Sequence, residues 1–299
     1  MIVYAEGLEQ QTILGAKNIN PEPIEVTTFA NPILLTDTDK ICRLPSSLRD
    51  TVFSLYQSYP RTVSYDGISV AWSPFEYPRV WCPSIDTVFF ARTLKKYLNE
   101  NVKSVVEIGC GSGFLIKYAL RYGNSIERAV ASDINLEAIR CASAAVSDES
   151  KRSLISFVLP DPDAPSLGFS GQFDLIIVNP PYIPRPNENH DNPYEGLDLI
   201  RKLTKEARGL LKDGGHILIN ISSLSGNEPL EWFKENGWDI NLLDTIKVPL
   251  KVNSITSDIT KESQDWLEYL KANKDLQEDE QEASGYRYWH ELKLYDVHS

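Results

Sequence analysis

Lys103-Ser104-Val105-Val106-Glu107-Ile108 runs into Gly109-Cys110-Gly111-Ser112-Gly113, and Phe114 to Tyr122 follows with the spacing of a helix. A short buried strand, a turn of three alternating glycines and a helix make the opening unit of a parallel α/β sheet. Glycine suits that turn because a tight strand-to-helix connection takes the backbone to positive φ and close to a ligand. The helix behind it offers unpaired N–H groups to an anionic group. The spacing is G-x-G-x-G rather than G-x-G-x-x-G, and Glu107 stands just before it. A carboxylate there repels a pyrophosphate and suits a ligand that carries an ammonium and a sulfonium.

Outward from this stretch, helix and strand alternate. Helices are expected at 85–98, 114–122, 136–146, 197–211 and 229–236. Strands are expected at 103–108, 128–132, 154–159, 173–178, 216–221, 238–248 and 288–297. Right-handed crossovers turn this alternation into a doubly wound, Rossmann-like α/β sheet of seven strands. Before it lies a small accessory region, with prolines at 21, 23 and 32, a helix expected from Ser46 to Tyr59, and a hairpin around Asp66-Gly67. The expected domains are therefore 1–78 and 79–299, the second with a polar insertion near 255–285. The acidic stretch from Thr260 to Glu282 reads as a solvated surface insertion. Trp72, Phe75, Tyr77 and Trp81 read as packing between the two regions, or as a rim facing a substrate.

Ligands in such sheets bind beyond the carboxyl ends of the strands. The candidate cofactor residues sit there. Asp133 ends the second strand, placed to accept both hydroxyls of a ribose, and Ile134 would lie against a base. Asp161, after the third strand, would accept the amino hydrogens of an adenine. Glu107, Gly109, Cys110, Gly111, Gly113 and, beyond the fourth strand, Asn179 complete this set, and S-adenosyl-L-methionine is the ligand that matches it. The fourth strand, Phe173 to Val178, runs into Asn179-Pro180-Pro181-Tyr182 (an NPPY motif). Two prolines restrict the backbone. Asn179 Oδ1 and the Pro180 carbonyl are then placed to accept both N–H bonds of an amide or aromatic amine and to aim its lone pair at a methyl group. Tyr182 would stack on the planar acceptor. A nitrogen of that kind needs orientation more than a strong base, and orientation supplies up to about 7–11 kcal/mol. His190, beyond the tetrapeptide, is read as a loop histidine.

Of the 299 residues 42% are hydrophobic and 24% charged, ordinary values for a globular protein, and the formal net charge is −12. A protein that grips phosphates usually carries a basic field, so an acidic total favours a protein or small molecule over nucleic acid as substrate. Lys95, Lys96, Lys117, Arg121 and Arg128 are too dispersed to establish a basic track. No run is long and apolar enough for a bilayer span. The N-terminal segment carries Glu6 and Glu9 and no signal-like apolar core, so a cytoplasmic protein with no membrane contact is expected. The four cysteines, Cys42, Cys82, Cys110 and Cys141, form no CxxC pair; neither a metal site nor a disulfide framework is expected.

From about Val80 to Ile221 the chain resembles the glutamine-N5 methyltransferases of peptide-chain release factors, the HemK/PrmC family and its archaeal–eukaryotic counterparts. Five segments carry the likeness: Val80-Trp-Cys-Pro-Ser-Ile-Asp-Thr87, Val105 to Gly113, Ser132-Asp-Ile-Asn135, Asn179-Pro-Pro-Tyr-Ile-Pro184, and Glu195-Gly-Leu-Asp-Leu-Ile-Arg201. The resemblance implies that Asn179 and Pro180 hold a glutamine amide. It also implies that Gly109, Gly111, Asp133 and Asp161 hold S-adenosylmethionine, with Thr87 near it. The implied substrate is the Gly-Gly-Gln loop of a release factor. A small activating protein partner is conceivable by the same resemblance. The chain departs from the family in having Asn192-Pro193-Tyr194 where a Gly-Gly pair is usual, in its N-terminal region and in its polar insertion.

The expected function is thus S-adenosylmethionine-dependent N-methylation of a protein glutamine side chain. The alternative is a nucleic acid N-methyltransferase acting on adenine N6 or guanine N2, which would flip its base between aromatic side chains. A non-catalytic scaffold is a third reading, opposed by the presence of Glu107, Asp133 and Asn179 together.

Overall fold

The computed structural model describes residues 3–7, 25–26, 61–73, 76–77, 80–161, 167–168, 170–184, 196–250, 267–272, 276–278 and 288–299. The helix expected at 46–59, Phe75, His190, Glu195 and most of the acidic stretch lie outside the described residues. The chain divides into two compact units, one whose described residues run to Asp161 and one whose described residues begin at Leu167.

In the first unit, β1 (Val3–Gly7) pairs antiparallel with β2 (Glu25–Val26) and with β3 (Arg61–Tyr65), and β3 pairs with β4 (Ile68–Trp72). The hairpin turn is Asp66-Gly67 as expected, both at positive φ (50° and 75°). Two positive-φ residues make the turn whose twist matches the flanking strands. The hairpin is tied down by polar contacts. The Asp66 carboxylate accepts from Lys95 Nζ at 2.8 Å and from the Tyr118 hydroxyl at 2.7 Å. Burial alone would raise the Asp66 carboxyl, but these donors outweigh it and hold it below the ordinary carboxylate range. Lys117, itself buried, donates to the Ser69 carbonyl at 3.0 Å and pairs with Asp148 at 2.9 Å.

The same unit holds α1 (Ile85–Tyr97) and three parallel strands, β5 (Ser104–Ile108), β6 (Arg128–Ser132) and β7 (Ile155–Val158). Between them run α2 (Phe114–Tyr122) and α3 (Leu136–Ala145). Every residue of β5 is buried, which accounts for the continuous apolar run in its sequence. Phe90, Phe114, Leu115, Ile116 and Tyr118 are among the largest fully buried side chains.

In the second unit, β8 (Phe173–Val178) connects through α4 (Asp198–Leu210) to the parallel strand β9 (Leu211–Ser222). The helix passes directly into the strand, and Gly214-Gly215 lies where the register with β8 shifts. This makes β9 longer than the 216–221 expected. After α5 (Glu228–Glu235), β10 (Asp239–Pro249) pairs antiparallel with the last strand, and two-residue β11 (Gln277–Glu278) pairs with it too. That last strand, β12 (Tyr288–His298), also pairs antiparallel with β9. The seven expected strands are thus all present, three in one unit and four in the other. The architecture is mixed α/β with a parallel-dominated, Rossmann-like sheet. No helix among the described residues is long and apolar enough to cross a membrane.

The acidic stretch departs from its reading as a solvated insertion. Helical residues 267–272 bury Leu267 and Leu270 in a cluster with Leu224, Leu250 and Tyr288, and Ile183, Tyr269 and Leu276 pack against it. Two leucines at i, i+3 are enough to seat one helical face, and the surrounding charges conceal that spacing. Leu270→Ala is expected to lower stability by about 2–5 kcal/mol in denaturant titration. A change within 0.5 kcal/mol, as at a solvated position, would refute the seating.

Candidate active site

The glycine turn in the first unit is closed by one carbonyl. Ser132 O, at the end of β6, accepts Gly109 N–H at 2.8 Å and Cys110 N–H at 2.9 Å. Gly109, Gly111 and Gly113 all have positive φ (73°, 49° and 77°). Their surroundings differ. A Cβ on Gly113 would stand 2.5 Å from Ala142 Cα in α3, so this glycine permits close packing of turn and helix. A Cβ on Gly111 would meet nothing within 4 Å, so its backbone faces open space that a ligand can approach. Cys110 is buried, and burial pushes its thiol up.

Asp133 stands where the second strand ends, held by the turn it serves. Its Oδ2 accepts Gly111 N–H at 2.9 Å, and its Oδ1 accepts Asn135 N–H at 2.9 Å. Asn135 in turn caps α3, its Oδ1 accepting Glu137 N–H at 3.1 Å. Burial raises the Asp133 carboxyl against the pull of those two amides. Each oxygen keeps a free lone-pair direction, as a pair of hydroxyl donors requires. Ile134 is half-buried, and Asp161 is exposed three residues beyond β7.

Glu107 has an additional structural task. It is buried, and its Oε2 accepts Ile116 N–H, in the first turn of α2, at 2.7 Å. Gly113, at the N-cap, has no side chain with which to cap the helix, and the strand carboxylate takes that place. Burial drives the Glu107 carboxyl well above its ordinary range, opposed by the Ile116 bond and reinforced by Asp133. Thr87 is buried in the first turn of α1 and accepts Ser84 N–H on its Oγ1 at 3.2 Å. Of the aromatics expected to pack or to form a rim, Trp72 is buried, its indole donating to the Val80 carbonyl at 3.0 Å, whereas Trp81 is 58% exposed.

In the second unit, Asn179 to Tyr182 leave the end of β8, with Pro180 buried and Asn179 half-buried. Asn220 of β9 donates from Nδ2 to Asn179 Oδ1 at 2.9 Å. Ser225 Oγ donates to the Tyr182 carbonyl at 2.7 Å. The Tyr182 ring lies 6.2 Å from the ring of His290, which in turn meets Ser222 Oγ at 2.9 Å. The tetrapeptide is therefore held at its first and last residues by side chains from β9 and the turn that follows it.

Asn220, Ser225 and His290 were not identified by sequence reasoning. One signal was present: Asn220 interrupts the apolar run His216-Ile-Leu-Ile-Asn-Ile221. It is fully buried, and its Oδ1 has no hydrogen-bond partner among the described residues. An orphaned buried acceptor costs about 1–3 kcal/mol, which a residue present only for packing would not carry.

The methyltransferase small domain model matches residues 84–235, about half of the chain. A Methanocaldococcus jannaschii protein described as a candidate N5-glutamine methyltransferase is 26% identical over 185 residues, which are 58% of this chain and 89% of that protein. The release factor glutamine methyltransferase of Streptococcus pneumoniae is 30% identical over 156 residues, covering 46% of this chain. The match spans 54% of the bacterial enzyme's own length. Among solved structures, Methanocaldococcus jannaschii Trm5 in complex with adenosine aligns with a TM-score of 0.50 at 13% identity, over 81% of this chain and 56% of that one, a likeness of fold alone. With half of its length matched to that model, and with the strands, turn and helices the fold requires in place, the chain belongs to the methyltransferase small domain family and is a methyltransferase.

Proposed function

We propose that the protein transfers a methyl group from S-adenosyl-L-methionine to a glutamine side-chain amide in a protein. The observation that carries this reading is the fixed Asn179-Pro180-Pro181-Tyr182 segment, whose first side-chain oxygen accepts Asn220 Nδ2–H at 2.9 Å. The relatives named above, whose descriptions specify glutamine, support the choice of acceptor.

The residues of the first unit fit the methyl donor. Gly111 leaves open space at the turn, Asp133 offers two lone-pair directions to ribose hydroxyls, and Ile134 offers an apolar surface to adenine. Glu107, Gly109, Cys110, Gly113, Thr87 and Asp161 shape or border that set, Thr87 by resemblance. When bound, the donor supplies a methyl group on a positively charged sulfur, which leaves as a neutral thioether with the electron pair of the broken C–S bond.

The second unit's residues act on the acceptor. An amide nitrogen is a weak nucleophile because its lone pair is delocalised into the carbonyl. Asn179 Oδ1 and the Pro180 carbonyl accept its two N–H bonds and leave the lone pair pointing away from both. Tyr182 stacks on the amide plane. As the N–CH₃ bond forms, the nitrogen loses one proton to an accepting oxygen or to water. Positioning carries the reaction, so no residue must act as a strong base. The acidic total charge of −12 favours a protein over nucleic acid. A release factor with a Gly-Gly-Gln loop is the proposed partner, and a small activating protein is a further conceivable one.

Labelled S-adenosylmethionine should transfer its methyl to a release factor's Gly-Gly-Gln loop, and Asn179→Ala should reduce that transfer by about 10²-fold or more. Label entering only total RNA or DNA would replace the glutamine reading with base methylation. For the cofactor half, two substitutions separate packing from binding. Gly113→Ala should cost about 2–4 kcal/mol in thermal or denaturant melts, from the left-handed backbone and the contact with Ala142. Gly111→Ala should cost about 1 kcal/mol of stability yet weaken S-adenosylmethionine binding in calorimetry. Equal affinity in Gly111→Ala would remove this turn from the cofactor site.

A further inference from the structure

Asn220 is an amide set inside an apolar strand, opposite Leu294 of β12 and between Ile219 and Ile221. It is 0% exposed. Its Nδ2 donates to Asn179 Oδ1 at 2.9 Å. We propose that Asn220 is a positioning residue for the methyl acceptor: by donating to Asn179 Oδ1 from within β9, it fixes which end of the Asn179 amide meets the acceptor nitrogen.

This rests on the role given to Asn179 above. An asparagine amide has two ends of nearly equal shape and opposite function, one accepting and one donating. The acceptor nitrogen carries N–H bonds and must meet the accepting end. If the Asn179 side chain turned over, its NH₂ would oppose those N–H bonds, and the lone pair of the substrate would lose its aim. Rotation about Cβ–Cγ is all that separates the two arrangements. A donor on Oδ1 selects one of them, and a carbonyl oxygen has a second lone pair with which to receive the substrate. Asn220 supplies that donor from a strand interior, where it is fully buried. Its Oδ1 is left without a partner among the described residues, the expected consequence of using the amide for its N–H.

The test compares Asn220→Ala and Asn220→Asp with the wild-type chain, using S-adenosylmethionine and a release factor carrying the Gly-Gly-Gln loop. Activity is counted per cofactor-binding site measured by calorimetry, so that misfolded protein does not enter. Asn220→Ala should lower kcat by about 10²-fold with the cofactor Kd unchanged. Asn220→Asp should introduce a fall in activity with rising pH beyond any in the wild-type profile. The introduced carboxyl, when protonated, donates to Asn179 Oδ1 and supports turnover. When ionised it can only accept, draws the Asn179 NH₂ toward itself and turns the amide over, so activity falls as pH rises. A wild-type pH profile in Asn220→Asp, or a per-site kcat within twofold of wild type in Asn220→Ala, would overturn the proposal. If the wild type labels the release factor and Asn179→Ala does so equally well, the role of Asn179 fails and this inference fails with it. Loss in Asn179→Ala alone, with both Asn220 variants like the wild type, would overturn only the positioning role.

Discussion

Two backbone amides, Gly109 and Cys110, donate to the single carbonyl of Ser132, and the glycine turn of the first unit depends on that convergence. It pulls the turn after β5 onto the end of β6. The next residue, Asp133, then returns a carboxylate to the turn at Gly111. The two strand ends thus hold each other, and the Asp133 carboxylate is positioned by the turn it faces. A side chain at Gly113 would separate the turn from α3, and a non-glycine backbone would resist the three positive φ values. The buried Glu107 closes the arrangement from below by capping α2.

The second unit solves a different problem. Its tetrapeptide follows a strand, and the proposed chemistry asks for an amide oxygen at a fixed place. Prolines at 180 and 181 remove backbone freedom, and hydrogen bonds from Asn220 and Ser225 hold the segment at its two ends. Ile183, immediately beyond, packs on the cluster built by Leu224, Leu250, Leu267, Leu270 and Tyr288. The acidic stretch therefore contributes apolar anchoring beside the tetrapeptide as well as charged surface.

How much was legible depended on whether a signal was local. The strands and helices from 85 to 249 were readable because hydrophobic period and turn residues act over a few positions. Asp66-Gly67 predicted its hairpin for the same reason, and the G-x-G-x-G turn and the NPPY segment stood out because each combines rare residue types at fixed spacing. The glycines of the turn looked alike in sequence, yet Gly113 serves packing against Ala142 while Gly111 faces open space. Glu107 read as a ligand contact, and the structure shows it as a helix cap, since the distance from a strand end to Ile116 N–H is set by the turn between them.

The sequence by itself determined the alternation of strand and helix, the glycine turn with its flanking acids, and the tetrapeptide. Each follows from backbone conformational preference and side-chain chemistry within a short window. Tertiary structure alone decided which groups meet: Asn220 with Asn179 across 41 positions, Ser225 with Tyr182 across 43, and Leu267 and Leu270 with Leu224 and Tyr288. Hydrogen-bond orientation and apolar seating require two elements to be packed before either partner exists for the other, and no local pattern encodes that.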